Sequence, residues 1–146
     1  GLYVKYADNV VIKDVLVVES KYKGSQLGQT KNGTQMSEIW VRQNIQRLKA
    51  KFPENKDYPQ IDKFIASGSY RALLWKMNIE NNTLKIDLNK IKSKGGEITS
   101  MTDQDSELSQ PFNKSIDIIN PENKFEENLV SFYKKQLDRY GPKLTE

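Results

Sequence analysis

Apolar residues crowd into two runs near the start of the chain, Leu2-Tyr3-Val4-Lys5-Tyr6 and the stretch 10–22, and the Ala7-Asp8-Asn9 between them suits a turn. This pattern predicts a β-hairpin. Its second strand, Val10-Val11-Ile12-Lys13-Asp14-Val15-Leu16-Val17-Val18, carries apolar residues on both faces near its end, as a central strand covered on both sides would. Residues 24–33 (GSQLGQTKNG) read as a loop, after which the period lengthens. Met36, Ile39, Trp40, Leu48 and Phe52 share one helical stripe, with Ile45 on its border, and predict a helix over 35–51 that Pro53 ends. A shorter helix is predicted over 58–67, with Ile61, Phe64 and Ile65 inward and Gly68 as its stop. Then Trp75, Met77 and Ile79 alternate with polar residues, as do Leu84, Ile86 and Leu88. A turn at Asn81-Asn82 sets 79 opposite 84, 77 opposite 86 and 75 opposite 88, so all six share one face of a second hairpin over 71–91. Residues 92–123 are polar and read as a long, partly mobile loop region with a weak strand at 116–119. A final helix over 121–140 places Phe125, Leu129, Phe132, Tyr133, Leu137 and Tyr140 on its stripe and ends at Gly141-Pro142.

The chain of 146 residues has the length of one domain, so 1–146 is read as a single unit. Composition matters chiefly through its zeros. With no His and no Cys there is no imidazole base, no thiolate and no disulfide framework. Ser-His-Asp and Cys-His hydrolases and histidine-dependent nucleases are thereby excluded, and any acid–base chemistry falls to Asp, Glu, Lys or Tyr, with or without a hard metal ion. Lys and Arg number 23 against 19 acids, a net charge of +4 that permits a polyanionic partner. No apolar run approaches the ~20 residues of a membrane span. Because the chain opens directly in a strand-like run, it is expected to be a piece of a longer protein.

Within this frame Val17-Val18-Glu19-Ser20-Lys21 stands out. The two-residue strand period sets Glu19 and Lys21 on the face shared by Val15 and Val17. In metal-dependent phosphodiester hydrolysis a carboxylate of this kind holds a divalent cation, while the lysine orients the nucleophile or offsets charge developing on phosphate. A bare Glu-x-Lys on a strand is also a common solvent-facing pair. The apolar strand leading to it changes the weighing, since charge at the rim of a buried sheet is costly unless used. Lys23 and Lys31, near the glycine loop, are candidate phosphate contacts. Arg42, Arg47, Lys49 and Lys51 read as a solvated helix face. Trp40 and Trp75 lie on apolar stripes and are assigned to the core.

Four segments together carry a family resemblance: Leu2-Tyr3-Val4-Lys5, Val17-Val18-Glu19-Ser20-Lys21-Tyr22, Leu27-Gly28-Gln29-Thr30-Lys31-Asn32-Gly33 and Gln35-Met36-Ser37-Glu38-Ile39-Trp40. Over residues 1–50 the chain resembles the nuclease toxin domains of the PD-(D/E)XK superfamily, found at the C-termini of contact-dependent growth inhibition and Rhs-type bacterial toxins. The resemblance implies an α/β fold of restriction-endonuclease type: a mixed central sheet flanked by helices, with the second hairpin extending or leaving it. It implies that Glu19 and Lys21 are the motif's acid and lysine, and that Gln35, at the start of the following helix, is a polar active-site residue. It further implies a divalent metal ion at Glu19 (Mg2+ or Mn2+ foremost, Zn2+ after them), a secreted or cell-surface-delivered toxin acting on DNA or tRNA in a competing cell's cytoplasm, and a cognate immunity protein.

One feature departs from the family pattern. That pattern puts a first metal-binding Asp just before the Gly-aliphatic-aromatic run with which this sequence starts. Hairpin arithmetic agrees, since a turn centred near residue 9 sets the partner of Glu19 at or just before residue 1. Asp8 falls in the turn and Asp14 on the opposite face. Residues 1–146 by themselves are therefore expected to show little activity. The immunity protein is expected to cover the site near Glu19, with strand addition to the 71–91 hairpin as the other mode. The competing reading is a non-catalytic nucleic-acid- or protein-binding module in which Glu19 and Lys21 merely pair at the surface.

Overall fold

A computed structural model describes residues 1–102 and 113–144. Leu2–Asp8 (β1) and Val11–Tyr22 (β2) form the expected antiparallel hairpin, with Leu2 opposite Val17, Val4 opposite Val15 and Lys5 opposite Asp14. Gly1 donates to and accepts from Val18 (2.6 and 2.8 Å), so Glu19 lies one position past the last β1 partner. The loop that follows holds a small separate ribbon, Gln29–Thr30 (β3) against Gly33–Thr34 (β4). Then come Glu38–Lys51 (α1), Tyr58–Ser67 (α2), Arg71–Glu80 (β5), Thr83–Lys94 (β6), Glu97–Thr102 (β7), Asn113–Asp117 (β8) and Lys124–Leu144 (α3). The six-stranded sheet runs β1-β2-β5-β6-β7, with β8 also paired to β6. None of the described helices is long and apolar enough to cross a membrane.

Strand direction follows from two contacts. Asp14 of β2 pairs with Arg71 at the start of β5 (2.7 Å), and the Lys23 N–H, just past β2, donates to the Met77 carbonyl (3.1 Å). Both strands advance together, so β2 and β5 are parallel, and α1 with α2 supplies the crossover that parallel neighbours require. The mixed α/β architecture expected from the sequence is the one observed, and the second hairpin extends the sheet.

The described residues gather into two compact units: Gly1–Glu19, Leu27–Leu73 and Lys90–Thr102 in the first, Ser20–Gln26, Leu74–Asn89 and the described part of 103–146 in the second. Val15, Val17, Met36, Val41, Ile45, Ile61, Ile65 and Leu73 are buried in the first. In the second, Tyr22, Met77, Leu84, Ile86, Ile116, Val130 and Tyr133 make one core, with Trp75, Ile79, Leu129 and Leu137 packed against it. Met77, Ile79, Leu84 and Ile86 thus share the face the alternation predicts. Asn81 and Asn82 both take positive φ (50° and 62°), the geometry of a two-residue hairpin turn.

Several expectations are corrected. The helix expected over 35–51 begins at Glu38, because Ser37 caps it by accepting the Trp40 N–H (3.4 Å). Met36, at φ 73° and fully buried, makes the bend that precedes the helix and is not part of its stripe. Ile39 and Phe52 are exposed, and Val41 and Ile45 take the buried positions. On α3 the expected Tyr133, Leu129 and Leu137 do face the core, but Glu126 and Val130 are buried with them while Phe125 and Phe132 are exposed. Tyr133 meets Tyr22 edge-on (6.1 Å between ring centroids), and buried Glu126 is compensated by Lys114 (3.3 Å) and the Glu122 N–H. The helix continues through Gly141-Pro142 to Leu144, since a proline so near the end costs one backbone bond. The expected side-chain position of Tyr140 and the segment 103–112 lie outside the described residues.

The polar stretch after residue 91 is also more regular than expected. β6 extends to Lys94, and Lys94 faces Glu97 across a two-residue Gly95-Gly96 turn that starts β7; β8 then pairs with the first half of β6. That turn seats α1. The Ile39 N–H donates to the Gly95 carbonyl (3.0 Å), the Gly95 N–H to the Glu38 carboxylate (3.4 Å), and the Thr34 N–H to the Gly96 carbonyl (3.0 Å). Gly33 takes φ 92°, and a Cβ there would overlap the Gly96 carbonyl oxygen and stand 2.8 Å from its Cα.

Two stability outcomes follow. Gly33→Ala should cost about 2–4 kcal/mol in urea unfolding, whereas Gly24→Ala, at φ 75° with open space around its Cβ, should cost only about 1 kcal/mol. Burial pushes the Tyr133 phenol above its ordinary 10.0, the Ile79 backbone pulling slightly the other way. The fold therefore holds that proton more tightly than the unfolded chain does, and stability falls as pH rises from the ordinary value through the raised one. Tyr133→Phe should flatten that alkaline loss in thermal unfolding measured above the ordinary value.

Candidate functional site

On β2 the period of two carries Val15 and Val17 inward, and the next two positions on that face are Glu19 and Lys21, both half-buried. The Glu19 side chain makes no hydrogen bond or ion pair with another described residue. The opposite face of β2 ends in Tyr22, 8% exposed and locked against Tyr133. This anchor fixes the direction of the neighbouring Lys21. The chain then reverses at Lys23-Gly24, both at positive φ (53° and 75°), closed by the Ser25 N–H to the Tyr22 carbonyl (3.1 Å) and the Tyr22 N–H to Ser25 Oγ (3.3 Å).

Lys21 lines a polar pocket of about 200 Å3 within the second unit, together with Lys76, Asn78 and Glu80 of β5 and Lys85 and Asp87 of β6. The cause is alternation. Met77, Leu84 and Ile86 are turned into the core, so the residues between them take the other face. Ser25 and Gln26, from the turn after β2, complete the wall. Lys85 meets Glu80 at 2.7 Å; that hydrogen bond, its Coulombic attraction and the nearby Asp87 hold the Lys85 ammonium above its ordinary pKa. The Lys76 side chain has no hydrogen bond or ion pair with another described residue.

The remaining candidates lie elsewhere. Lys23 is exposed, and its backbone, by donating to Met77, does the structural work. Lys31 is exposed in the turn between β3 and β4, in the first unit. Gln35 precedes α1 rather than opening it; its Oε1 accepts the Gly28 N–H (2.9 Å), and its own N–H donates to the Gly28 carbonyl (2.8 Å), which clamps the β3–β4 ribbon. Trp75 is half-buried against the core, as expected. Trp40, also half-buried, lines a cavity of about 310 Å3 in the first unit with Val17, Val41, Ile45 and Leu48. That larger cavity is mostly apolar, with Asn44, Arg47 and Lys51 as its polar lining and no carboxylate.

Sequence reasoning missed Lys76, Lys85 and Asp87. Their alternation with apolar residues is visible in the chain, but it gives a polar face without an address. Only the parallel pairing of β5 beside β2 puts that face next to Lys21. No group of three or more His, Cys, Asp or Glu side chains that could hold a metal is found among the described residues. No family model, curated protein or solved structure matches the chain.

Because the half-buried Glu19 side chain has no partner among the described residues to lose, Glu19→Ala should change unfolding free energy by no more than about 0.5 kcal/mol. Chemical denaturation of this variant checks this.

Proposed function

We propose that the chain is a metal-dependent nuclease that hydrolyses phosphodiester bonds, with Glu19 as metal-holding acid and Lys21 as the cation that faces the phosphate. The observation that carries this reading is the state of Glu19: a half-buried carboxylate at a strand end, without a protein partner among the described residues, two positions from a lysine in a polar pocket. Partly desolvated charge is costly to keep unpaired unless a ligand uses it. A merely structural Glu–Lys pair would be closed, and Glu19 is in no ion pair with a described residue.

Glu19 fits a hard divalent ion of the Mg2+ kind, which takes one or two carboxylates and fills its remaining positions with waters and substrate phosphate oxygens. When bound, such an ion lowers the pKa of a coordinated water and polarises the phosphate. Lys21 contributes a fixed positive charge on the same strand face, its stem held by the Tyr22 anchor. Gln35 contributes by clamping the loop at Gly28. The delivery of this nuclease as a toxin into a competing cell, and its neutralisation by an immunity protein, belong to the same reading and rest on the sequence resemblance over residues 1–50.

Cleavage of plasmid DNA and of tRNA by the natural full-length protein, with Mg2+ or Mn2+ and with chelator, tests the assignment. Glu19→Ala and Lys21→Ala should each lower the rate at least about 100-fold while the fold persists. Full activity in both variants, or cleavage indifferent to chelator, would reject it.

A further inference from the structure

We propose that the apolar cavity of the first unit, between α1 and the β1–β2 hairpin, binds a single-chain alkyl carboxylate of about eight to twelve carbons, its carboxylate on Arg47 and Lys51. The proposal uses neither Glu19 nor Lys21 and is independent of the nuclease reading.

The basic residues of α1 divide by position. Arg42 is paired with Glu38 at 2.8 Å and Lys49 with Asp62 at 2.5 Å, and neither cation lines the cavity. Arg47 and Lys51 do line it, and their side chains form no hydrogen bond or ion pair with a described residue; Lys51 only overlies the Phe52 ring at 5.5 Å. Four residues apart on a helix, the two reach the same end of the cavity and repel each other, a cost that an anion between them removes. Of the acids within three residues of a lining residue, Asp14 and Glu38 are paired with Arg71 and Arg42, and Glu19 and Glu54 do not line the cavity. The helix C-terminus carries about half a negative charge, which two full cations outweigh. Asn44, the remaining polar lining residue, donates its amide to the Trp40 carbonyl (2.9 Å). The guanidinium fork of Arg47 matches a carboxylate.

The rest of the lining is hydrocarbon held in place from both sides, with buried Val17 paired to Leu2 in the hairpin and buried Val41 and Ile45 on α1. It extends along α1 from Trp40 to Lys51, three turns or about 16 Å, so the volume of about 310 Å3 is drawn out rather than round. An apolar cavity of about 150 Å3 takes one benzene ring, so twice that volume holds about a dozen carbons, too few for a two-chain membrane lipid. Its elongated shape suits an alkyl chain better than fused rings. With the cations at one end and Trp40 at the other, the ligand has a direction: carboxylate toward residues 47 and 51, terminal methyl toward the indole.

Proton–nitrogen NMR spectra of residues 1–146, at low salt and without metal, are followed during titration with hexanoate, octanoate and decanoate. Saturable shifts at the Trp40 indole N–H and at the amides of Val41, Ile45 and Leu48 are expected, with the Trp75 indole of the second unit unmoved. Affinity should rise about two- to fourfold per methylene until the cavity is full. Nuclear Overhauser contacts should join the terminal methyl of octanoate to the Trp40 ring. 1-Octanol should bind at least about fivefold more weakly than octanoate, and octylammonium more weakly still. Arg47→Gln combined with Lys51→Gln, both at exposed positions, should weaken octanoate at least about fivefold and leave 1-octanol within about twofold. The proposal would be overturned by the absence of saturable shifts at tens of millimolar, by octanol binding as tightly as octanoate, or by shifts shared equally by Trp40 and Trp75. Unchanged octanoate affinity in the double variant, with a native-like spectrum, would overturn it too.

Discussion

The arrangement depends on one constraint: a β-strand shows alternate residues to opposite faces, and here the buried face changes along single strands. In β6, Leu84, Ile86 and Leu88 are buried on one face, and Ile91, of opposite parity, is buried beyond them. In β2, Val15 and Val17 are buried on one face and Tyr22 on the other. In β6 the change falls between Leu88 and Asn89, both buried, whereas on β2 it leaves Val18, Glu19, Ser20 and Lys21 half-buried. The candidate chemistry therefore sits where the apolar pattern changes phase.

The same constraint explains why the polar pocket is built from alternate residues of β5 and β6. With Met77, Leu84 and Ile86 fixed in the core, Lys76, Asn78, Lys85 and Asp87 are held by a backbone that the core immobilises. Long side chains lose less on binding when their stems are already placed. Part of the pocket's charge is self-compensated through Lys85 and Glu80, which keeps the wall from repelling itself.

A second constraint operates at the start of α1. The backbones of Gly33 and Gly96 approach so closely that neither the space nor the φ of Gly33 accepts a side chain, and the backbone groups of Gly95 bond the first helical turn. Helix-terminal N–H groups need partners, and here a hairpin turn more than fifty residues away supplies one of them. Gln35 clamps the other side of the same junction through Gly28. Residues with the look of a glycine-rich ligand loop thus serve a backbone junction.

What the sequence alone determined was local. Alternation at 2–22 and 71–91 gave both hairpins, Asn81-Asn82 gave the turn, Gly68 gave the stop of α2 at φ 70°, and the spacing of Glu19 and Lys21 gave their shared face. Period and turn chemistry act between neighbours, so they can be read from neighbours. The Gly95-Gly96 turn was equally legible, flanked as it is by Lys94 and Glu97, but the polar residues around it masked an interior strand. Tertiary structure alone decided that α1 buries Val41 rather than Ile39 and Phe52, and that α3 buries Glu126 and Val130 beside the expected Tyr133 while Phe125 and Phe132 stay exposed. It also decided which lysines join Lys21. Lys76 and Lys85 are distant from it in the chain, and only the parallel pairing of β5 with β2 makes them its neighbours. Lys23, two residues away, takes the conformation of the turn and leaves the group.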